Sequence, residues 1–172
     1  MWKTGHSLIK TKMKSEQAVL AGEMSGHMFF ADRYFGYDDA IYASCRLVEI
    51  LTKTTRSLSA LVADLPKTTV TPEIRVDVSD SIKFELVRHV QDRLADCAKT
   101  RQELGPVKLV IRDLVTIDGV RAIFNDGWGL IRASNTQPAL VLRFEASSAE
   151  RLAAIRAVIE AELTAAQQAL GC

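Results

Sequence analysis

Two short polar segments carry side chains able to hold a ligand. Gly22-Glu23-Met24-Ser25-Gly26-His27 sets a carboxylate, a hydroxyl and an imidazole close together. The Glu23 carboxylate has two acceptor oxygens that can bridge neighbouring hydroxyls, and Ser25 can donate or accept. His27 can contact an anion or exchange a proton near neutral pH. The glycines permit backbone shapes closed to other residues. Arg132-Ala133-Ser134-Asn135-Thr136-Gln137-Pro138 offers a different chemistry. Arg132 presents a planar fork of donors that suits phosphate oxygens. Ser134, Asn135 and Thr136 add short donors, and a polar turn can leave backbone N–H groups pointing outward. Arg143, on the apolar run that follows, can supply a second cation. On chemistry alone each segment has an ordinary alternative. The first reads also as a connecting loop, the second as a β-turn with Asn135 left-handed. Together they suggest a ligand with both hydroxyls and phosphate.

The elements that must position these segments fall into two groups. Residues 8–20 read as a short helix with a solvated lysine face. Met28-Phe29-Phe30 suits a buried strand. Asp38 and Asp39 open a helical pattern carried by Ile41, Cys45, Val48 and Leu51, and a second by Leu58, Leu61, Val62 and Leu65. Residues 66–72 hold two prolines and three threonines and read as a linker. Beyond them Ile74, Val76 and Val78 alternate with polar residues as a strand does. Asp80 or Ser81 is placed to cap a helix through Val87, Val90, Leu94 and Ala98. Asp118-Gly119 between two β-type runs predicts a hairpin. Residues 128–131 and 139–144 add strands. Ser147 and Glu150 form a capping box for a last helix with Leu152, Ile155, Ile159 and Leu163 on one face. The organisation expected is a partial α/β domain over 1–66, a hinge over 67–73, and an α+β domain over 74–172. The last reads β-α-β-β-β-α, an antiparallel sheet with two helices on one face.

Composition narrows the function. At 172 residues, 48% hydrophobic and 25% charged, the chain is ordinary globular material. A formal net charge of +1 gives no reason to expect nucleic acid or an anionic membrane as partner. No apolar run approaches the roughly 20 residues of a membrane span. The residues Met1 to His6 lack an apolar signal core. Cys45, Cys97 and Cys172 form no CxxC pair, which speaks against a zinc site or disulfide framework. Cys45 and Cys97 fall in helical patterns and are expected to be buried. A reducing cytoplasm fits these features.

With those residues in place, the chain resembles the α-D-phosphohexomutases, and within them the bacterial phosphomannomutase/phosphoglucomutase type. Gly22 to His27 is similar to that family's sugar-specificity loop. Arg132 to Pro138 is similar to its C-terminal phosphate-binding loop. Trp2-Lys3-Thr4-Gly5-His6-Ser7 and Asp126-Gly127-Trp128-Gly129-Leu130 are similar as well, and the matches run in the family's order. The last domain also resembles the fold of the TATA-binding protein, an analogy of fold alone.

The resemblance implies reversible conversion of hexose 1-phosphates and 6-phosphates of mannose and glucose. A phosphoserine donates phosphate, giving a bisphosphate intermediate, with Mg²⁺ assisting in the full-length enzyme. It implies that Glu23 and Ser25 hold sugar hydroxyls, that His6 faces the ligand, and that His27 contacts it as a candidate acid/base. Arg132, Ser134, Asn135 and Thr136 would bind the phosphate that is not transferred. The family's phosphoserine loop and its Asp-Gly-Asp-x-Asp-like metal loop have no counterpart here. The chain is therefore expected to be a C-terminal piece with no catalytic residue beyond the candidate His27, no metal site and no mutase activity by itself. Its expected partners are hexose phosphates, the missing N-terminal domains, and a second copy through the truncated third domain. The alternative is a stand-alone, non-catalytic phosphosugar-binding module.

Overall fold

Alternating apolar residues after residue 73 call for a sheet, whereas the earlier 3–4 spacing calls for helices with little sheet to cover. The computed structural model describes residues 1–171. It divides into two compact units, residues 1–66 and residue 67 onward. No helix among the described residues is long and apolar enough to cross a membrane.

The first unit contains α1 (His6–Glu16), β1 (Leu20–Gly22), β2 (Met28–Phe30), α2 (Ala40–Thr52) and α3 (Leu58–Leu61). Ile9 and Met13 on α1 bury Phe29 in a small core. β1 is an addition to the expected elements. It pairs antiparallel with β2 from Leu20↔Phe30 to Gly22↔Met28, so the polar segment is a hairpin turn and not a free loop. Asp39 caps α2, its side chain accepting from the Tyr42 N–H at 2.9 Å. The apolar stripe of α2 is exposed: Ile41 keeps 80% and Val48 58% of its surface. Cys45, expected to be buried, is exposed with them, while Cys97 is buried. The cause is packing: α2 lies against the three-residue β2, too small a surface to cover the stripe.

The second unit runs β3 (Thr69–Val70), β4 (Ile74–Asp77), α4 (Lys83–Thr100), β5 (Asp113–Val115), β6 (Val120–Ile123), β7 (Gly127–Ala133), β8 (Ala139–Ala146) and α5 (Ala149–Leu170). The sheet order is β3-β8-β7-β6-β5, with β4 also on β8, and every pairing is antiparallel. From residue 74 the order is β-α-β-β-β-β-α, one strand more than the expected β-α-β-β-β-α, because both runs flanking Asp118-Gly119 are strands beside β7 and β8. β3 lies inside the segment read as linker. Thr71 fixes it there, its hydroxyl accepting from the Phe144 N–H at 3.1 Å.

Two caps differ from expectation. α4 has Ile82 at its N-cap and no side-chain capping bond. Asp80 instead pairs with the buried Lys83 at 2.6 Å. α5 is capped by Ser148, which accepts from the Arg151 N–H at 3.2 Å, and not by Ser147. Ser147 is held one position earlier because its N–H donates to the Asp126 carbonyl at 2.8 Å.

Strand period sends alternate side chains to opposite faces. Ile131, Leu140, Leu142 and Phe144 face α4 and α5, meeting Leu86, Val90, Leu94, Ile155 and Ile159, all fully buried. Each such side chain contributes about 1.5–3 kcal/mol of burial. The other parity of β6, β7 and β8 carries Arg121, Trp128, Leu130, Arg132 and Arg143, which are half-buried.

Candidate functional site

In the first unit the hairpin turn organises its own polar groups. The Glu23 N–H donates to the His27 carbonyl at 2.9 Å, and the Gly26 N–H to the Glu23 carbonyl at 3.0 Å. Gly26 sits at φ +95°, a conformation that glycine takes without strain. The Glu23 carboxylate is then fixed from two sides. One oxygen accepts from the Gly5 N–H at 3.1 Å. The other accepts from the Ser25 hydroxyl at 3.0 Å. A carboxylate oxygen has two lone pairs, so both keep acceptor capacity. Gly5 precedes His6, the first residue of α1, whose ring lies 5.4 Å from that of Phe29.

His27 is exposed, and its Nδ1 lies 2.6 Å from an Asp38 carboxylate oxygen. In the neutral ring that contact fixes the proton on Nδ1 and leaves Nε2 as acceptor; in the charged ring Nε2 becomes a donor. Asp38 is a residue that sequence reasoning missed, since it read as a helix-start charge. Its neighbour Asp39 does fill that role, and it also accepts from the Tyr34 hydroxyl at 2.5 Å. The Tyr34 bond, then that from Tyr42, holds the Asp39 carboxyl below its ordinary range.

In the second unit, β7 delivers Arg132 to the start of a turn and β8 carries the chain away. Arg132 is mostly buried, with a terminal nitrogen 3.8 Å from an Asp118 carboxylate oxygen of the β5–β6 hairpin. Ser134 is buried, and its hydroxyl accepts from the N–H groups of Thr136 at 3.3 Å and Gln137 at 3.1 Å. Those two N–H groups therefore turn inward to Ser134, contrary to the expectation of outward donors. Asn135 is not left-handed. The side chains of Asn135 and Thr136 remain exposed.

Two further cations brace this turn. The buried Lys83 donates to the Gln137 carbonyl at 3.0 Å. Arg75 donates to the Gln137 side-chain oxygen. Neither was foreseen, because a lysine in a first helical turn and an arginine on an alternating strand read as solvated. Arg143 lies opposite Leu130, diagonal to the Arg132–Val141 pair and on the same sheet face. Its Nε is buried and without a hydrogen-bond partner. The structure thus brings Glu23, Ser25 and His27 together in one unit and Arg132, Ser134, Asn135, Thr136 and Arg143 in the other. Among the described residues no group of three or more His, Cys, Asp or Glu could hold a metal ion.

Comparison with known proteins follows the same division. Residues 1–69 match the family model described as phosphoglucomutase/phosphomannomutase, alpha/beta/alpha domain III. Residues 73–162 match the model for the C-terminal domain of the same proteins. A phosphomannomutase/phosphoglucomutase of Pseudomonas putida is 50% identical over 95% of this chain, which covers 32% of that protein. A phosphoglucomutase of Neisseria meningitidis serogroup A is 44% identical over 93% of the chain, covering 33% of that protein. A crystal structure of a phosphoglucomutase/phosphomannomutase family protein from Burkholderia thailandensis superposes with a TM-score of 0.77 at 44% identity. That match covers 97% of this chain and 32% of the other. The chain spans about a third of the length of the relatives it matches.

Proposed function

The chain belongs to the phosphoglucomutase/phosphomannomutase family, and from that we infer that it supplies the sugar-hydroxyl and distal-phosphate contacts of a hexose phosphate mutase. The substrates proposed are the 1- and 6-phosphates of glucose and mannose. The observation that carries this is the state of the two turns. Each is locked by its own hydrogen bonds with its ligand-type groups already oriented, Glu23 by Gly5 and Ser25, Ser134 by two N–H groups. A preorganised site loses less entropy on binding.

In this reading Glu23 accepts from two ring hydroxyls and Ser25 adds a donor or acceptor. His27, oriented by Asp38, contacts the sugar or exchanges a proton through Nε2. His6 lies beside this group. Arg132 grips the phosphate that stays in place, exchanging its long contact with Asp118 for a phosphate at hydrogen-bond distance. Asn135 and Thr136 add donors from the exposed rim, and Arg143 adds charge. Mg²⁺ would neutralise phosphoryl charge during transfer, but the residues of this chain do not fit it. Asp38 is engaged with His27, Asp39 with Tyr42 and Tyr34, and no third donor among the described residues joins them. The rest of the enzyme and a cytoplasmic setting belong to the same proposal.

The test has two arms. A coupled assay of the purified chain with glucose 1-phosphate is expected to show no turnover. Equilibrium dialysis is expected to show glucose 6-phosphate bound, weakened about tenfold or more in Arg132→Gln, since a hydrogen bond to a charged group is worth about 1.5–3 kcal/mol. Turnover, or binding indifferent to Arg132→Gln, would overturn the reading. The second unit has a complete core of its own, which favours phosphosugar binding without catalysis as the second reading.

A further inference from the structure

The second unit holds a cavity of about 480 Å³ away from the phosphate turn. It lies between the α4–β5 connection, the β6–β7 turn and the first turn of α5. β7 separates it from Ser134, and six residue steps of strand amount to about 20 Å. Leu109, Ile111 and Phe124 back it and are themselves buried, and most of the surface it presents is polar. Its wall carries Arg101, Lys108, Arg112 and Arg151 against the single carboxylate of Glu103.

Most of that charge is unevenly neutralised. Lys108 pairs with Glu103 at 3.0 Å. Arg151 pairs with Asp126, the residue after Asn125. Arg101 has no side-chain partner among the described residues. It is held at the wall because the chain leaves α4 there in a left-handed conformation, φ +52°. Arg112 donates from Nε to the Asn125 side-chain oxygen at 2.6 Å, which orients the guanidinium and leaves its two terminal nitrogens unbonded among the described residues. Two uncompensated guanidinium groups thus face one concavity, in a chain whose formal net charge is only +1.

We propose that this cavity is a second anion site, for a small phosphorylated molecule bound by Arg101 and Arg112 at the opposite end of β7 from the phosphate turn. The charge of a phosphate monoester near neutral pH, close to −2, matches the two free cations, and its oxygens suit paired guanidinium donors. The volume lies within the range of small-molecule sites, about 300–1,000 Å³, and exceeds what one phosphate needs.

Inorganic pyrophosphate is the probe, titrated into the isotope-labelled chain at constant ionic strength while amide shifts are followed. Saturable shifts are expected at Arg101, Lys108, Arg112 and Asn125, half-complete at about 1 mM or below. The Arg101→Gln, Arg112→Gln pair should abolish them while the amide spectrum of the remaining residues keeps its dispersion, which shows that the fold survives. Shifts confined to 132–137, shifts that never saturate, or pocket shifts that persist in the double variant would each overturn the proposal. Failure at the cavity leaves the phosphosugar reading standing, because that reading rests on the separate response of residues 132–137 to glucose 6-phosphate.

Discussion

At the scale of single residues, the second turn depends on Ser134 more than on any exposed side chain. Its hydroxyl is the acceptor for two N–H groups that have no other partner among the described residues. Ser134→Ala should hand them to water at a part-buried turn and cost about 1 kcal/mol, read from chemical denaturation. It should also weaken phosphosugar binding by loosening Asn135 and Thr136. In the first unit, Glu49 is held down at about 2 by the side-chain bond from Arg33 and next by that from Lys53. Its folded value lies below the ordinary 4.5, so its contribution to stability is present above pH 4.5 and is lost as pH falls towards 2. Carboxyl chemical shifts followed through an acid titration should place the Glu49 midpoint well below those of exposed glutamates; a midpoint near 4.5 would contradict the contact.

At the scale of elements, the β5–β6 hairpin has a functional consequence. Gly119 turns it at φ +73°, and a Cβ there would run into the Ile131 carbonyl. The turn presents Asp118 to Arg132, so it sets the resting position of the cation proposed to grip the phosphate. Gly119→Ala should cost more than about 1 kcal/mol and lower the melting temperature, because both the conformation and the space exclude it. This turn was legible in the sequence, since Asp-Gly between β-type runs has few other uses. So were α4, α5 and the long strands, whose periodicity fits their burial. β1 was not, because Leu20-Ala21-Gly22 is too short to show a period and exists through its pairing with β2. The α5 cap slipped by one residue because a backbone bond from Ser147 to Asp126 cannot be read from a motif. Asp38 and Lys83 escaped for a related reason. Their roles come from partners 11 and 54 residues away in the chain.

At the scale of the molecule, the two units differ in completeness. The second buries its own core. Among the described residues the first buries only three large apolar side chains, Ile9, Met13 and Phe29, and leaves Ile41, Leu47, Val48 and Ile50 of α2 exposed. Contiguous apolar surface of this kind drives association. Sedimentation should therefore show concentration-dependent dimers or larger species, reduced by Ile41→Glu with Val48→Glu; a monomer over a wide concentration range would show that the stripe is tolerated in water. The helical period of α2 was plain in the sequence, but burial requires a covering surface, and no periodicity records whether one exists. The Arg132–Pro138 turn is proposed to grip the phosphate of a hexose phosphate. Titrating glucose 6-phosphate into the isotope-labelled chain while following its amides is the direct test. Saturable shifts at Arg132, Ser134, Asn135 and Thr136 that disappear in Arg132→Gln are expected, and an absence of shifts at these residues at millimolar ligand would contradict that role.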